Sequence, residues 1–140
     1  MLPRKEAMEP TQLHDDEFQR ILWNESTQII KLDWKESTER MTDDDMKREL
    51  DFFVVCVEKK RAPRILVDVQ KFGYRMTPEV QKWWSENILT RYNAAGVKRF
   101  AFLFAPEIKI TSAMNESAPG ADFLTRSFNT RESAIKWLTA

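Results

Sequence analysis

Apolar positions along the chain change period several times, and each change marks an element. Ile30, Leu32 and Trp34 alternate with Lys31, Asp33 and Lys35, a period of two that turns one face of a strand inward. Phe18 to Trp23 precedes this run and is separated from it by the turn-prone Asn24-Glu25-Ser26. The pair, Phe18–Trp23 and Gln28–Lys35, predicts an antiparallel hairpin with one solvated face. The period then lengthens: Met46, Leu50, Phe53, Val54 and Val57 form a helical stripe. Thr42 stands where an N-cap belongs, Asp43, Asp44 and Asp45 complement the helix dipole, and Lys59, Lys60, Arg61 and Pro63 mark the end. Ile65-Leu66-Val67 is a continuous apolar run that fits a strand covered on both faces, within Arg64–Val69.

A second helix is predicted from about Thr77 to Ala95. Thr77 is its N-cap, Pro78 sits at the first helical position, and Val80, Trp83, Trp84, Ile88 (or Asn87) and Tyr92 form the stripe. Gly96 supplies the left-handed stop. Phe100-Ala101-Phe102-Leu103-Phe104 reads as another fully buried strand, and Leu124–Phe128 as a last, weak one. Pro106, Pro119 and Gly120 bracket a segment, 106–121, with room for a short helix. Asn129 with Glu132 three residues on resembles a capping box opening a terminal helix, in which Ala134, Trp137 and Leu138 face inward. Residues 1–15, with Pro3, Pro10 and no sustained period, read as a flexible tail, leaving 16–140 as the domain. The order β-β-α-β-α-β-(α)-β-α predicts a single α/β domain with a mixed sheet, the N-terminal hairpin being its antiparallel edge.

Composition narrows the function. The chain has 140 residues, 22 Lys+Arg against 22 Asp+Glu, one histidine and one cysteine. Balanced charge argues against nucleic-acid binding, which rests on a basic excess. A lone Cys56 excludes an internal disulfide. The longest apolar stretch, Phe100–Ala105, is far short of the ~20 residues of a membrane span. With no secretory signal at the start, the expected location is cytoplasmic, and Asn24-Glu25-Ser26 and Asn115-Glu116-Ser117 are not expected to be glycosylated. His14 falls in the expected tail, so Ser-His-Asp or Cys-His catalysis lacks a placed base. Three glycines leave no phosphate loop, and there is no G-x-S-x-G elbow. One His and one Cys do not make a zinc site. Asp43-Asp44-Asp45 point three ways from a helix and serve as capping charge. No catalytic residue, metal or cofactor is expected.

Phe53, Phe100, Phe102, Phe104 and Trp137 are expected in the core. Trp83 and Trp84 are adjacent, about 100° apart on a helix, so one of them is a candidate for a groove or an interface. Lys59, Lys60, Arg61 and Arg64 read as a solvated helix end. The most informative segment is Asp68–Thr77, which joins the carboxyl end of a buried strand to a helix N-terminus, where ligands bind in open α/β sheets. Asp68, Lys71, Phe72, Tyr74, Arg75, Thr77 and Trp84 form the candidate ligand or partner surface. Against this stands an ordinary connection in which Asp68 caps local amides and Phe72 tucks into the core.

Three stretches together resemble the STAS domain of bacterial anti-sigma-factor antagonists, in its looser SpoIIAA-like set. They are Ile65-Leu66-Val67-Asp68, the turn Ala95-Gly96-Val97, and the closing Arg126–Leu138 with Phe128, Glu132, Ala134, Trp137 and Leu138 at the family's spacing. The resemblance spans about residues 17–139. It implies a small mixed sheet with helices largely on one face and a non-enzymatic regulatory or protein-interaction module. The family's switch serine, in an Asp-Ser-(Ser/Thr)-Gly signature, is missing: Arg75-Met76-Thr77-Pro78 stands there, and Thr77 is the only hydroxyl at the matching helix start, the candidate for a phosphorylation switch. The looser set also resembles lipid-transfer domains, so the alternative is a carrier or sensor of a small amphiphilic or anionic ligand, with Lys71 and Arg75 on the head group and Phe72, Tyr74 and a Trp on the apolar part. Expected partners are a protein or a second copy of the chain, and not nucleic acid. Acid–base work by Asp68, Tyr74 and Arg75 has no spacing argument behind it.

Overall fold

The computed structural model of the protein describes residues 9–140. Six strands form one sheet in the spatial order of the chain: β1 (Thr11–Asp15), β2 (Gln19–Asn24), β3 (Ile29–Trp34), β4 (Arg64–Asp68), β5 (Arg99–Leu103) and β6 (Leu124–Phe128). The pairs β1–β2 and β2–β3 are antiparallel, and the pairs from β3 to β6 are parallel. The α/β class and the mixed sheet expected from the sequence are what the chain forms.

The expected tail, residues 1–15, is corrected at its C-terminal end. Thr11–Asp15 is an edge strand on β2, irregular between Gln12 and His14, and residues 1–8 of the expected tail lie outside the described residues. β1 shows no apolar alternation because its residues are exposed or only half-buried; it is held by main-chain pairing, which leaves no hydrophobic period to read.

Helix α1 (Asp43–Lys60) opens on a full capping box, Thr42 Oγ1 accepting from Asp45 N and the Asp45 carboxylate accepting from Thr42 N. It closes on Arg61 in the left-handed region, φ 48°. Helix α2 (78–95) is built of Pro78–Trp84, a π-helical Ser85–Leu89 and Thr90–Ala95, and stops at Gly96, φ 89°. The widened π turn slips the inward stripe by one residue, so Leu89 is buried beside Ile88 while Trp83 and Trp84 stay half-buried. Helix α3 (Arg131–Leu138) is capped by Thr130, Oγ1 accepting from Ser133 N. The expected cap Asn129 instead spends its amide on the carbonyls of Ala105 and Ile108.

Two consecutive crossovers, β3–α1–β4 and β4–α2–β5, step the same way and put α1 and α2 on one face. The registers align Ile30, Ile65 and Phe100, and then Leu32, Val67 and Phe102, in rows beneath them. The opposite face carries Ile29, Leu66, Ala101 and Leu103 under the short α3. There Arg64 donates to the carbonyls of Leu138 and Thr27, at 2.7 and 2.8 Å, and Arg99 donates to that of Trp137. These cations meet the carbonyl end of α3, where its dipole is negative. Arg64 is therefore a tertiary clamp rather than part of a solvated basic end.

The third crossover carries no long helix. Residues 104–123 hold only the short 3-10 turn Ser112–Asn115. From this segment Ala118, Ala121 and Phe123 pack on the α1/α2 face. Phe102 and Phe104, expected in the core, are half-buried because the segment supplies no long helix, and Trp137 is half-buried because α3 ends beside it.

Candidate functional site

Between the sheet and the helices α1 and α2 the side chains leave an apolar cavity of about 260 Å³. Its floor is Leu32 and Trp34 of β3, Val67 of β4, and Phe100 and Phe102 of β5. Its roof is Met46, Leu50 and Phe53 of α1 with Trp84 and Tyr92 of α2. Phe72, Met76 and Val69 from the loop after β4 close one side, and Gln81 is the one polar lining residue. A second gap of about 180 Å³ adjoins it across Trp84, Phe100 and Phe102, under Ala118 and Phe123. The space is partly open to solvent, a cleft among aromatic side chains rather than a closed packing void. The larger space lies between β3–β5, α1, α2 and the loop after β4, and only the smaller gap borders the third crossover, which lacks a long helix.

The loop 69–77 is tightly held. Val69 N donates to Leu103 O at 3.0 Å, and Gly73 N donates to the hydroxyl of the buried Thr38 at 2.9 Å. Gly73 lies so close to Glu39 that an added Cβ would stand 2.9 Å from that residue's Cβ. Phe72 packs on Trp34 (ring centroids 5.2 Å) and on Tyr74 (6.1 Å).

The predicted site residues divide into groups. Phe72 and Trp84 line the apolar cavity, with Trp84 edge-on to Tyr92 at 6.2 Å. Trp83 turns away and lies under the Lys47 ammonium, 5.8 Å from its ring. Asp68 and Lys71 line a separate polar groove at the carboxyl ends of β3 and β4, where Arg20 and Lys31 pair with Asp33 and Lys35 with Asp15. Asp68 Oδ1 accepts from Gln70 N at 3.0 Å, the local capping role. Trp34 borders both spaces. Tyr74 is not a rim residue: it is buried, its hydroxyl donates to Asp43 Oδ1 at 2.7 Å, and burial with that carboxylate pushes its pKa up to about 12. Thr77 Oγ1 accepts from Val80 N at 3.2 Å, as the cap of α2. Arg75 and Lys71 are exposed and make no ion pair among the described residues.

Sequence reasoning places Leu32, Met46, Leu50 and Phe102 on inward faces but does not single them out as pocket walls. Their periodicity reports direction, whereas the volume left between them depends on three elements meeting.

A second cluster forms where the sequence suggested a tail. His14 Nε2 lies 2.7 Å from Asp16 Oδ2, and its ring packs against Phe52 at 4.0 Å. Asp16 Oδ1 accepts from the amides of Phe18 and Gln19 at 2.8 and 2.9 Å. Glu49 of α1 reaches the same point from within the core. Burial, and then the neighbouring Asp16 carboxylate, push the Glu49 carboxyl up to about 8. Asp16 is held down at about 2: its partial burial works the other way, but hydrogen bonds from Glu49, His14 and the two amides outweigh it.

The fold and this interior define a small α/β domain with a mixed sheet and an apolar space under two crossover helices. The family model described as SpoIIAA-like matches residues 30–139, and the chain belongs to that family. The resemblance drawn from Ile65–Asp68, Ala95–Val97 and Arg126–Leu138 is borne out. No match was found among curated proteins or among solved structures. No helix among the described residues is long and apolar enough to cross a membrane.

Proposed function

We propose that the protein is a non-catalytic regulatory module of STAS-like type whose signal is a small amphiphilic molecule held between the sheet and α1/α2. The observation that carries this reading is the apolar cavity of about 260 Å³ beside Phe72 and Trp84. Ligand pockets start at ~300 Å³, and the adjoining space behind Trp84 brings the available volume into that range. The apolar part of the ligand sits among Leu50, Phe53 and Phe102. Its head passes Trp34 toward Lys71 in the polar groove, which favours an anionic group. Occupancy is transmitted to the surface through Phe72, which is continuous with the loop 69–77. A protein partner or a second copy of the chain then meets that loop at Lys71 and Arg75.

The test is a ladder of alkyl carboxylates and alkyl phosphates of increasing length, followed by native mass spectrometry and thermal unfolding. Each added methylene is worth ~0.8 kcal/mol, about fourfold in affinity, until the cavity is full. Val69→Phe, which places a ring at the cavity mouth, abolishes binding and leaves unfolding temperature unchanged or raised. Absence of any chain-length dependence, or binding undiminished in Val69→Phe, overturns the proposal. Light scattering with and without the ligand reads self-association.

A further inference from the structure

We propose that His14, Asp16 and Glu49 form a binding site for a divalent transition-metal ion of the zinc class, clamping the edge strand β1 to α1. One imidazole nitrogen and two carboxylate oxygens from these residues lie within 4.8 Å of one another. His14 and Asp16 come from β1 and the turn that follows it, while Glu49 comes from the middle of α1. Their convergence is therefore a tertiary arrangement and not a by-product of one turn.

A second observation points to a missing ligand. Glu49 is only 3% exposed; its carboxyl is hydrogen-bonded to Asp16, yet its Oε1 has no partner of its own. Gln19 beside it is fully buried: its Nε2 donates to the Glu49 carbonyl at 2.9 Å, and its Oε1 also lacks a donor. Buried oxygens without partners are costly and uncommon. A cation at this point compensates the Glu49 oxygen and sits against the open side formed by His14 and Asp16, whose side chains are 23% and 29% exposed.

The supporting contacts fit metal ligation. The amides of Phe18 and Gln19 hold Asp16 Oδ1 and so turn Oδ2 toward His14, the kind of outer contact that orients a ligating carboxylate. Phe52 backs the imidazole ring. The nearby Arg48 is committed to Asp45 Oδ1 at 2.9 Å. Zinc bonds of ~2.0–2.2 Å to N and O put three ligands roughly 3–3.5 Å apart. Reaching this from the present spacing takes side-chain shifts of roughly 1 Å, with the His14–Asp16 contact opening and Glu49 approaching. A mixed imidazole and carboxylate set suits zinc-like ions, whereas Ca²⁺ and Mg²⁺ take all-oxygen sets. Water completes the coordination on the open side.

The experiment uses the full chain stripped with chelator and titrated with Zn²⁺ by calorimetry, with Co²⁺ absorption as a second probe of nitrogen and oxygen ligation. Stoichiometric uptake, a raised unfolding temperature and slowed amide exchange in Thr11–Asp15 are expected. His14→Ala and Glu49→Gln each weaken uptake by roughly 100-fold or more, since losing even an outer-sphere partner costs ~10–100-fold. Asp44→Asn, an exposed acid on the same helix, leaves uptake unchanged. Glu49→Gln keeps the side-chain shape, and its unfolding in chelator reports that it is folded. Absence of saturable zinc uptake overturns the proposal, as does uptake of equal affinity in Glu49→Gln or a water alone at the site in a zinc-soaked crystal.

Discussion

Phe72 and Tyr74 stand two residues apart in one loop, and the sequence treats them alike, yet they do opposite things. Phe72 is half-buried and walls the apolar cavity, while Tyr74 points back to Asp43 at the start of α1 and ties the loop down. Tyr74→Phe removes the hydroxyl from a carboxylate acceptor, and a hydrogen bond to a charged group is worth ~1.5–3 kcal/mol. Urea unfolding is expected to show a loss of about this size with an unchanged m-value, because the ring still packs. Gly73 is needed for space. Gly73→Ala pushes a methyl against Glu39 backbone and Cβ, and overpacking of this kind costs ~1–3 kcal/mol. The same unfolding measurement checks it, and a neutral result would mean that the 3-10 turn Glu36–Arg40 yields without cost.

The elements differ in how openly the sequence announces them. Helix α1 carries its own start signal, Thr42 with Asp45, and its own stripe, all of which the structure uses. Thr42→Ala is expected to cost ~1 kcal/mol, the usual price of a lost N-cap. Its far end is less well served: Arg61 occupies the left-handed region at φ 48°, which disfavours a side chain by ~1–2 kcal/mol. Arg61→Gly is therefore expected to stabilise the protein by up to ~1 kcal/mol once the extra freedom of the unfolded glycine is counted. A lower thermal midpoint for that variant would contradict the reading. Helix α2 announced its cap and its stop but not its π turn, because one inserted residue leaves hydrophobic content unchanged and only rotates it. β1 was invisible for a different reason: strand pairing through the backbone needs no apolar alternation, and the strand's half-buried residues supply none.

For the whole molecule, the cavity and the stability are linked. A ligand that binds the native state alone adds ~2.7 kcal/mol at a hundredfold excess over its dissociation constant. An alkyl phosphate that fills the space is thus expected to shift the unfolding midpoint in the native protein and not in Val69→Phe. The asymmetry of the sheet faces decides where this happens. One face is sealed by α3 and the arginine clamps Arg64 and Arg99. The other is roofed by α1 and α2 but left short at β5 and β6, where residues 104–123 supply no long helix.

Local chemistry written into the chain accounts for much of the domain: the hairpin periods, the caps Thr42 and Thr77, the stop at Gly96 and the apolar run Ile65–Val67 each act over a few neighbouring residues. The candidate loop was locatable from the same local signals, since a buried strand followed by a capped helix gives it an address. Which of its side chains face the cavity, and that a cavity exists, depended on how far apart the sheet and two helices stand. The meeting of His14 and Asp16 with Glu49 depended on α1 crossing behind β1. Distances of that kind are set by packing between segments remote in the chain, and no short window of residues contains them.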